Sequence, residues 1–277
     1  FIFEVRDLWP ELPVALAVIK NPVIIFGLKA LEWASYNFAN GCIGLSPGIL
    51  DGIKKMRISK NNLIMIPNGC DSDIFKPVQK NNPDRKIRAI FSGAHGLANG
   101  IDAILDMGKI LVNHKRNDIE IVLIGRGKYK EKLKKRAKDE SITTCTFLDP
   151  VPKMEIAKMT ASCDIGLMVL ANIEAFYYGT SPNKFFDYIA SGIPVVNNYP
   201  GWIADMINEY HCGIVVPPDN PEKFAEAIEW LADNPDDRKK MGDNAFVLSK
   251  KFDRTELAEK FVGFLENWNK NIEDPIY

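Results

Sequence analysis

The stretch "SPNKFFDYIASGIPVVNN", residues 181–198, predicts a helix that leads into a buried strand. Ser181 is a good N-cap residue, and Pro182 suits the first helical position. Gly192 is expected to end the helix, and the apolar run 193–197 predicts the strand. The stretch therefore predicts one helix–strand unit of a parallel α/β sheet.

The same alternation of strands and helices extends in both directions from this unit. Strands are predicted at 1–5, 42–46, 62–67, 87–92, 119–124, 144–148, 164–170, 193–197 and 213–216. Helices are predicted at 23–39, 47–57, 100–113, 128–139, 153–161, 182–191, 202–209, 221–233, 236–250 and 254–270. Strands that alternate with helices form parallel sheets with crossover helices, so the fold class is α/β.

A polar segment without periodicity, 68–86, separates two series of elements. It is rich in Asn, Asp, Pro and Lys, as linkers between domains are. The series after it predicts a complete doubly wound, Rossmann-like domain, whereas the series before it indicates only the last part of a similar domain. We predict a partial N-terminal domain at 1–70, a linker at 71–86, a C-terminal domain at 87–252 and a C-terminal helix at 253–277 that packs back toward the N-terminal domain.

Composition excludes several classes of protein. With 46% hydrophobic residues the chain can form a substantial core, and its net charge of −1 does not favour nucleic acid or anionic lipid as a partner of the whole molecule. The five cysteines contain no C-x-x-C pair, which favours reduced thiols in the cytoplasm. The most apolar window, 16–33, is interrupted by Lys, Pro and Gly and is a poor membrane span. No signal-peptide pattern is visible.

Three loops that leave predicted strands are candidate ligand sites, because ligands of parallel sheets bind at the carboxyl ends of the strands. The first, "FSGAHGLANG" at 91–100, has glycines at 93, 96 and 100 between a strand and a helix. Its backbone N–H groups could approach a phosphate, or the glycines could serve only a tight turn. His95 is expected to be a loop residue rather than a catalyst.

The second loop, "LIGRGKYKEKL" at 123–133, places Arg126 between Gly125 and Gly127. The two glycines could let the backbone approach a nucleotide, and Arg126 could meet its charge. The lysines that follow at 128, 130, 132, 134, 135 and 138 indicate a solvated helix face.

The third loop is the start of the opening stretch. A helix N-terminus with free N–H groups can bind an anion, and Lys184 lies in its first turn. Asp187 lies one turn further, on a polar stripe with Lys184 and Tyr188, and could accept hydrogen bonds from a ribose diol. The alternative is a solvated stripe with a local Lys184–Asp187 ion pair. Together the three loops predict a pocket for a nucleoside diphosphate, with no metal cluster, Walker loop or Ser-His-Asp arrangement.

The ordered combination of these segments resembles the retaining glycosyltransferases of family 4. "IPNGCDSDIFKP", "SGAHGLANGIDAIL" and "FEVRDLWPELP" are similar to segments of that family, the last one especially to bacterial members that build surface polysaccharides. "SPNKFFDYIASGIPVV" resembles the family's donor motif. The resemblance covers essentially the whole chain and implies a GT-B fold with a nucleotide-sugar bound in the C-terminal domain. It also implies transfer with retention and no metal.

The resemblance also implies roles for individual residues. In this family two glutamates, separated by seven residues, normally contact the donor; Asp187 matches the second, and Gly179 stands where the first would be. The family's basic pair in the first loop would fall near Ala94 and Asn99, so Lys184 would take over phosphate neutralisation. We predict catalytic roles for Lys184 and Arg126. Donor contacts are predicted for Gly93, His95, Gly96, Gly125, Gly127, Val151, Ser181, Asn183, Lys184 and Asp187.

The leading hypothesis is a hexosyl or N-acetylhexosaminyl transferase that uses a nucleotide-sugar donor, a UDP-sugar, in bacterial polysaccharide or lipid-linked oligosaccharide assembly. Its acceptor would be a saccharide or lipid-linked saccharide, with no cofactor, in the cytoplasm or peripherally on the inner face of the plasma membrane. The absent first glutamate also fits a non-catalytic nucleotide-sugar-binding or regulatory subunit. A sugar-nucleotide epimerase would need acids and histidines that this chain lacks. The 277-residue chain alone is expected to bind donor but to transfer poorly.

Overall fold

The computed structural model describes residues 1–58, 62–79 and 86–270. The strands are β1 (Ile2–Val5), β2 (Gly41–Gly44), β3 (Leu63–Met65), β4 (Ile87–Ser92), β5 (Ile119–Ile124), β6 (Cys145–Leu148), β7 (Ile165–Met168), β8 (Val195–Asn197) and β9 (Gly213–Val215). The α-helices are α1 (Glu11–Ala15), α2 (Pro22–Phe38), α3 (Pro47–Met56), α4 (Asp102–Asn113), α5 (Lys130–Asp139), α6 (Lys153–Ser162), α7 (Glu174–Tyr177), α8 (Asn183–Ala190), α9 (Trp202–Glu209), α10 (Pro221–Asp233), α11 (Pro235–Ser249) and α12 (Arg254–Lys270).

The chain forms two compact units. The first comprises the described parts of Phe1–Gly69, Ile173–Ser181 and Arg254–Tyr277, and the second comprises those of Cys70–Asn172 and Pro182–Asp253. Of the predicted linker, 80–85 lie outside the described residues, and 71–79 contain no helix or strand. Residues 271–277 of the predicted C-terminal helix also lie outside them.

The second unit contains a six-stranded parallel sheet with the order β6-β5-β4-β7-β8-β9. The order reverses between β4 and β7, which is the topological switch point where open α/β sheets bind ligands. Its core is formed by apolar side chains of the central strands and of α4 and α10, among them Phe91, Leu123, Ile104 and Phe224. The predicted doubly wound domain is confirmed.

The first unit contains a three-stranded parallel sheet with the order β1-β2-β3. One cluster of buried residues joins Val5, Tyr36 and Ile49, and another joins Ile43 of β2 to Leu257 of α12. Helix α2 buries only Tyr36 and exposes large apolar side chains such as Phe26. In the part of the chain that the structure describes, no helix combines the length and the apolar character needed to cross a bilayer.

Candidate functional site

Two loops of the second unit, those after β4 and β5, are hydrogen-bonded to each other. Gly93 N–H donates to the carbonyl of Ile124 at 2.9 Å, and His95 N–H donates to that of Arg126 at 2.9 Å. In return, Tyr129 N–H donates to the carbonyl of His95 at 3.1 Å. Both glycine-rich loops predicted from the sequence therefore lie together at the carboxyl ends of β4 and β5, and β4 borders the switch point.

The glycines of the second loop are required by this interlock. A Cβ on Gly125 would lie 1.8 Å from the carbonyl oxygen of Gly93, and one on Gly127 would lie 2.2 Å from that of His95. Gly96 differs, because a Cβ there would meet no atom within 4 Å and its φ of −120° is open to any residue. Packing therefore explains Gly125 and Gly127, whereas no contact with a described residue explains Gly96.

The ammonium group of Lys184 lies against the first loop. Its Nζ donates to Asn99 Oδ1 at 3.0 Å and lies 4.0 Å from the centroid of the Phe91 ring. A Cβ on Gly93 would lie 3.2 Å from this Nζ. Within the described ranges no carboxylate lies at salt-bridge distance from Lys184, and burial lowers its pKa to about 7. The group is thus held by neutral partners, which leaves its positive charge uncompensated.

The start of α8 differs from the predicted start. The N-cap residue is Pro182, which provides no side-chain cap, and the helix begins at Asn183. Ser181, the predicted N-cap, instead accepts a hydrogen bond on its hydroxyl from the N–H of Asn68 at 3.1 Å, within the first unit. The predicted cap is therefore wrong, because the hydroxyl already has another partner.

The predicted polar stripe of α8 is also only partly present. Tyr188 is fully buried, and its hydroxyl accepts a hydrogen bond from Ser92 N–H at 3.0 Å. A Cβ on Gly166 would lie 2.5 Å from the Tyr188 ring, so this ring fills the space beside β7. Asp187 is half-buried, and Lys184 does not form the alternative ion pair with it. The placement of Tyr188 on the polar stripe is wrong.

His95 is a fully buried loop residue. Its ring packs against Phe147 and Phe91 with centroids 5.9 and 6.2 Å apart. Among the described residues neither ring nitrogen has a hydrogen-bond partner. Burial, together with the charges of Lys130 and Lys184, lowers the pKa of His95 to about 4. The imidazole is therefore neutral near pH 7.

The free energy of unfolding is expected to depend on pH because of this buried imidazole. The unfolded chain binds the proton near the ordinary pKa of 6.5, whereas the folded one does so only near 4. The stabilisation of the folded chain by neutral His95 is thus present above pH 6.5 and is lost progressively as the pH falls toward 4. Between pH 7 and 5 the resulting loss in the free energy of unfolding is about 2 kcal/mol.

Urea unfolding at several pH values would measure this effect. His95→Leu should flatten the profile between pH 7 and 5. His114→Gln, a matched change of an exposed histidine that pairs with Glu229, is the control, and His95→Leu should change the slope more than this control does. Identical slopes in the parent and His95→Leu would contradict the assignment.

Lys130 was predicted on a solvated face, and this is wrong. Its side chain is buried, and Nζ donates to the carbonyls of Gly125 and Leu148 at 2.8 and 2.7 Å and to Asp149 Oδ1 at 2.7 Å. The periodicity contains a signal for it, because Lys130 shares the helix face of Leu133 and Ala137, both buried. Lys130 fixes the ends of β5 and β6 beside the site.

The other predicted site residues lie around these loops. Arg126 is exposed between the two loop glycines, Asn183 is exposed in the first turn of α8, and Val151 is half-buried after β6. In the described parts of the chain, neither Arg126 nor Asn183 has a side-chain hydrogen bond. No group of three or more His, Cys, Asp or Glu among the described residues could hold a metal ion.

The parallel sheets and the loops at the switch point define the Rossmann-like α/β class. Residues 72–247, more than half of the chain, match the family model for glycosyl transferases group 1. The chain belongs to this family.

Curated relatives agree with the family. A probable glycosyltransferase of Pseudomonas aeruginosa, WbjE, is 24% identical over 245 residues, which cover 84% of this chain and 60% of the relative. An uncharacterized glycosyltransferase of Methanocaldococcus jannaschii, MJ1178, is 26% identical over 193 residues, covering 70% of this chain and 50% of the relative. The chain thus spans 60% and 50% of the length of these relatives.

Solved structures show the fold. Sucrose-phosphate synthase of Thermosynechococcus elongatus superposes with a TM-score of 0.79 at 16% identity, covering 98% of this chain and 68% of that one. Anabaena Alr3699/HepE in complex with UDP gives 0.76 at 14% identity, with 96% and 72% covered. WaaG, a glycosyltransferase involved in lipopolysaccharide biosynthesis, gives 0.73 at 16% identity, with 94% and 73% covered. The predicted GT-B fold is confirmed.

Proposed function

We propose that this chain carries the donor site of a glycosyltransferase that takes a sugar from a UDP-sugar and transfers it with retention, without a metal. The observation that carries the proposal is the ammonium of Lys184, which lies beside Gly93 at the start of α8 and, among the residues that the structure describes, contacts only neutral groups. An uncompensated, half-buried cation in the first turn of a helix suits a diphosphate. The similar Anabaena protein, described in complex with UDP, supports the choice of nucleotide.

The proposed chemistry requires charge stabilisation more than an acid or base of the protein. Breaking the donor's glycosidic bond develops negative charge on the departing diphosphate, and Lys184 would stabilise that charge more in the transition state than in the ground state. The departing phosphate would take the proton of the acceptor hydroxyl. Asp187 would hold the ribose, and Arg126 would assist at the nucleotide.

The proposed role is the assembly of bacterial polysaccharide or lipid-linked oligosaccharide, with a hexosyl or N-acetylhexosaminyl unit transferred to a saccharide or lipid-linked saccharide. The likeness to WaaG, which is involved in lipopolysaccharide biosynthesis, supports this role. A lipid-linked acceptor would bring the protein to the cytoplasmic face of the plasma membrane, as the sequence predicts.

Replacement of Lys184 tests the donor site. In Lys184→Met, UDP should bind about 10- to 100-fold more weakly, because one charge-assisted hydrogen bond is lost. Titration calorimetry of the 277-residue chain measures this affinity. Lys134→Met, which removes a lysine paired with Glu131 on α5, is the matched control and should bind as the parent does. Equal UDP affinity in Lys184→Met and the parent would contradict the proposal.

A non-catalytic nucleotide-sugar-binding subunit is the second candidate. Gly179 favours it, because this position supplies no carboxylate and a Cβ there would approach only the Ala175 carbonyl, at 3.7 Å. A longer protein that includes this chain can be incubated with UDP- and GDP-sugars, and the anomer of any product determined by NMR. A retained anomer would support the enzyme; binding of UDP without hydrolysis or transfer of any sugar would support the subunit.

A further inference from the structure

The side chain of Asn99 joins the first loop to the ammonium of Lys184. Asn99 lies at the end of the short 3-10 helix Leu97–Asn99, and its Nδ2 donates to the carbonyl of Ala94 at 2.9 Å. Its Oδ1 accepts from Lys184 Nζ at 3.0 Å. The two ends of one amide therefore hold the loop and the cation in a fixed relation.

The other described residues that contact this ammonium are also uncharged. The Phe91 ring offers its face at 4.0 Å, and Gly93 leaves the space that the lysine occupies. Lys130 provides a contrast within the same unit, because its ammonium is paired with the carboxylate of Asp149 at 2.7 Å. One lysine is thus neutralised by the protein, and the other is only positioned by it.

We propose that Asn99 is a positioning residue, which aims the Lys184 ammonium into the diphosphate site and, being an amide, leaves its charge uncancelled for the ligand. This inference rests on the proposed donor site. Asn99 stands near a position where the resemblance leads one to expect a basic residue, and the geometry assigns it a different part: it orients the cation that α8 supplies instead.

The chemistry of the amide explains why a carboxylate would not serve. An amide oxygen accepts one hydrogen bond from the ammonium without forming an ion pair. An aspartate at position 99 would form that ion pair, compete with the diphosphate for the same cation and repel the ligand's negative charge. An apolar residue would release both the loop and the lysine without adding a charge.

Two variants of the 277-residue chain, Asn99→Asp and Asn99→Leu, separate these effects, since both lose the bond to Ala94 and only one adds a charge. UDP affinity is measured by calorimetry from pH 7.5 to 9.5, where the terminal phosphate, with a pKa of about 6, is fully ionised. Of the described titratable groups, His95 interacts with Lys184 and stays neutral in this range, and Asp187 follows one turn along α8.

The parent's affinity should fall as the pH rises, by up to about tenfold per unit, because binding requires the protonated form of a lysine whose pKa is about 7. Asn99→Leu should bind about tenfold more weakly at pH 7.5 and keep this slope. Asn99→Asp should bind UDP more weakly still at pH 7.5. The fall of its UDP affinity should begin at a pH higher by about one unit or more, because the carboxylate raises the pKa of the lysine.

The outcomes separate this inference from the proposed function. If UDP binds the parent and Lys184→Met weakens it, but Asn99→Leu binds as the parent does, the inference is wrong and the donor site stands. Equal pH profiles in Asn99→Asp and Asn99→Leu would also overturn it, since a purely structural asparagine would not alter the titration of Lys184. Asn99→Ala replaces Asn99→Leu if thermal unfolding shows that the bulkier variant does not fold. Absence of UDP binding by the parent would overturn the proposed function itself.

Discussion

Gly125→Ala is expected to destabilise the protein by about 4 kcal/mol or more, or to prevent folding altogether. The added Cβ would lie 1.8 Å from the Gly93 carbonyl oxygen, a backbone atom that cannot rotate away. The φ of +155° at Gly125 is a further strain on any residue with a side chain. Because total stabilities are about 5–15 kcal/mol, the loss is large enough to be seen in urea unfolding or in the yield of folded chain.

The matched control for this variant is Gly96→Ala in the neighbouring loop. No atom of the described part of the chain lies within 4 Å of the added methyl group, so stability should change by no more than about 0.5 kcal/mol. If a diphosphate approaches this backbone, the same variant should weaken UDP binding while leaving stability intact. A Gly125→Ala protein as stable as Gly96→Ala would contradict this prediction, because it would show that the two loops can separate without lowering the free energy of unfolding.

The architecture could be predicted because it depends on local pattern. Strands β4 and β5 match their predicted bounds, since each is a mostly apolar run between a charged residue and a glycine. Helices α1 and α7 were missed, because five and four residues are too few to show a 3.6-residue period. The fold class therefore follows from the long elements, which carry most of the apolar periodicity.

The site was only partly predictable, because much of it depends on contacts between distant residues. Lys184 could be predicted as a site residue from its position in the first turn of a helix that follows a strand and a turn. The amide of Asn99 could not, since its partners are Ala94 and a lysine 85 positions away. The hydroxyl of Tyr188 likewise meets Ser92, 96 positions away, and so a residue that suits a polar stripe is buried instead.

The glycine pattern shows how one motif can have two physical causes. The sequence pattern predicts that Gly125 and Gly127 let a nucleotide approach the backbone. In the structure they let one loop approach another, which is sufficient to require glycine at both positions. Gly96 differs from both, because no described residue lies close enough to require glycine there, and close approach of a ligand would account for it.

Lys130→Met is expected to lower the free energy of unfolding by about 3 kcal/mol, and the loss should come mainly from two backbone carbonyls. Lys130 Nζ is the donor to Gly125 O and Leu148 O, which would lose this donor in the variant. Leu148 O would keep the longer hydrogen bond from Gly125 N–H at 3.3 Å, so the loss should be largest at Gly125 O. A buried acceptor without a partner costs about 1–3 kcal/mol. The ion pair with Asp149 should add little, because that carboxylate is 91% exposed and would be solvated instead.

Urea unfolding of Lys130→Met, with Lys132→Met as the control on the exposed face of α5, would measure this difference. The control should stay within about 0.5 kcal/mol of the parent. A loss below about 1 kcal/mol in Lys130→Met would mean that water replaces the ammonium at both carbonyls. A large loss together with weaker UDP binding would instead show that Lys130 supports the site through the loop that contains Gly125. In this loop the backbone carbonyl of Arg126 accepts the hydrogen bond from His95 N–H. In that case the buried lysine of α5 maintains the loops against which the cation of α8 is positioned.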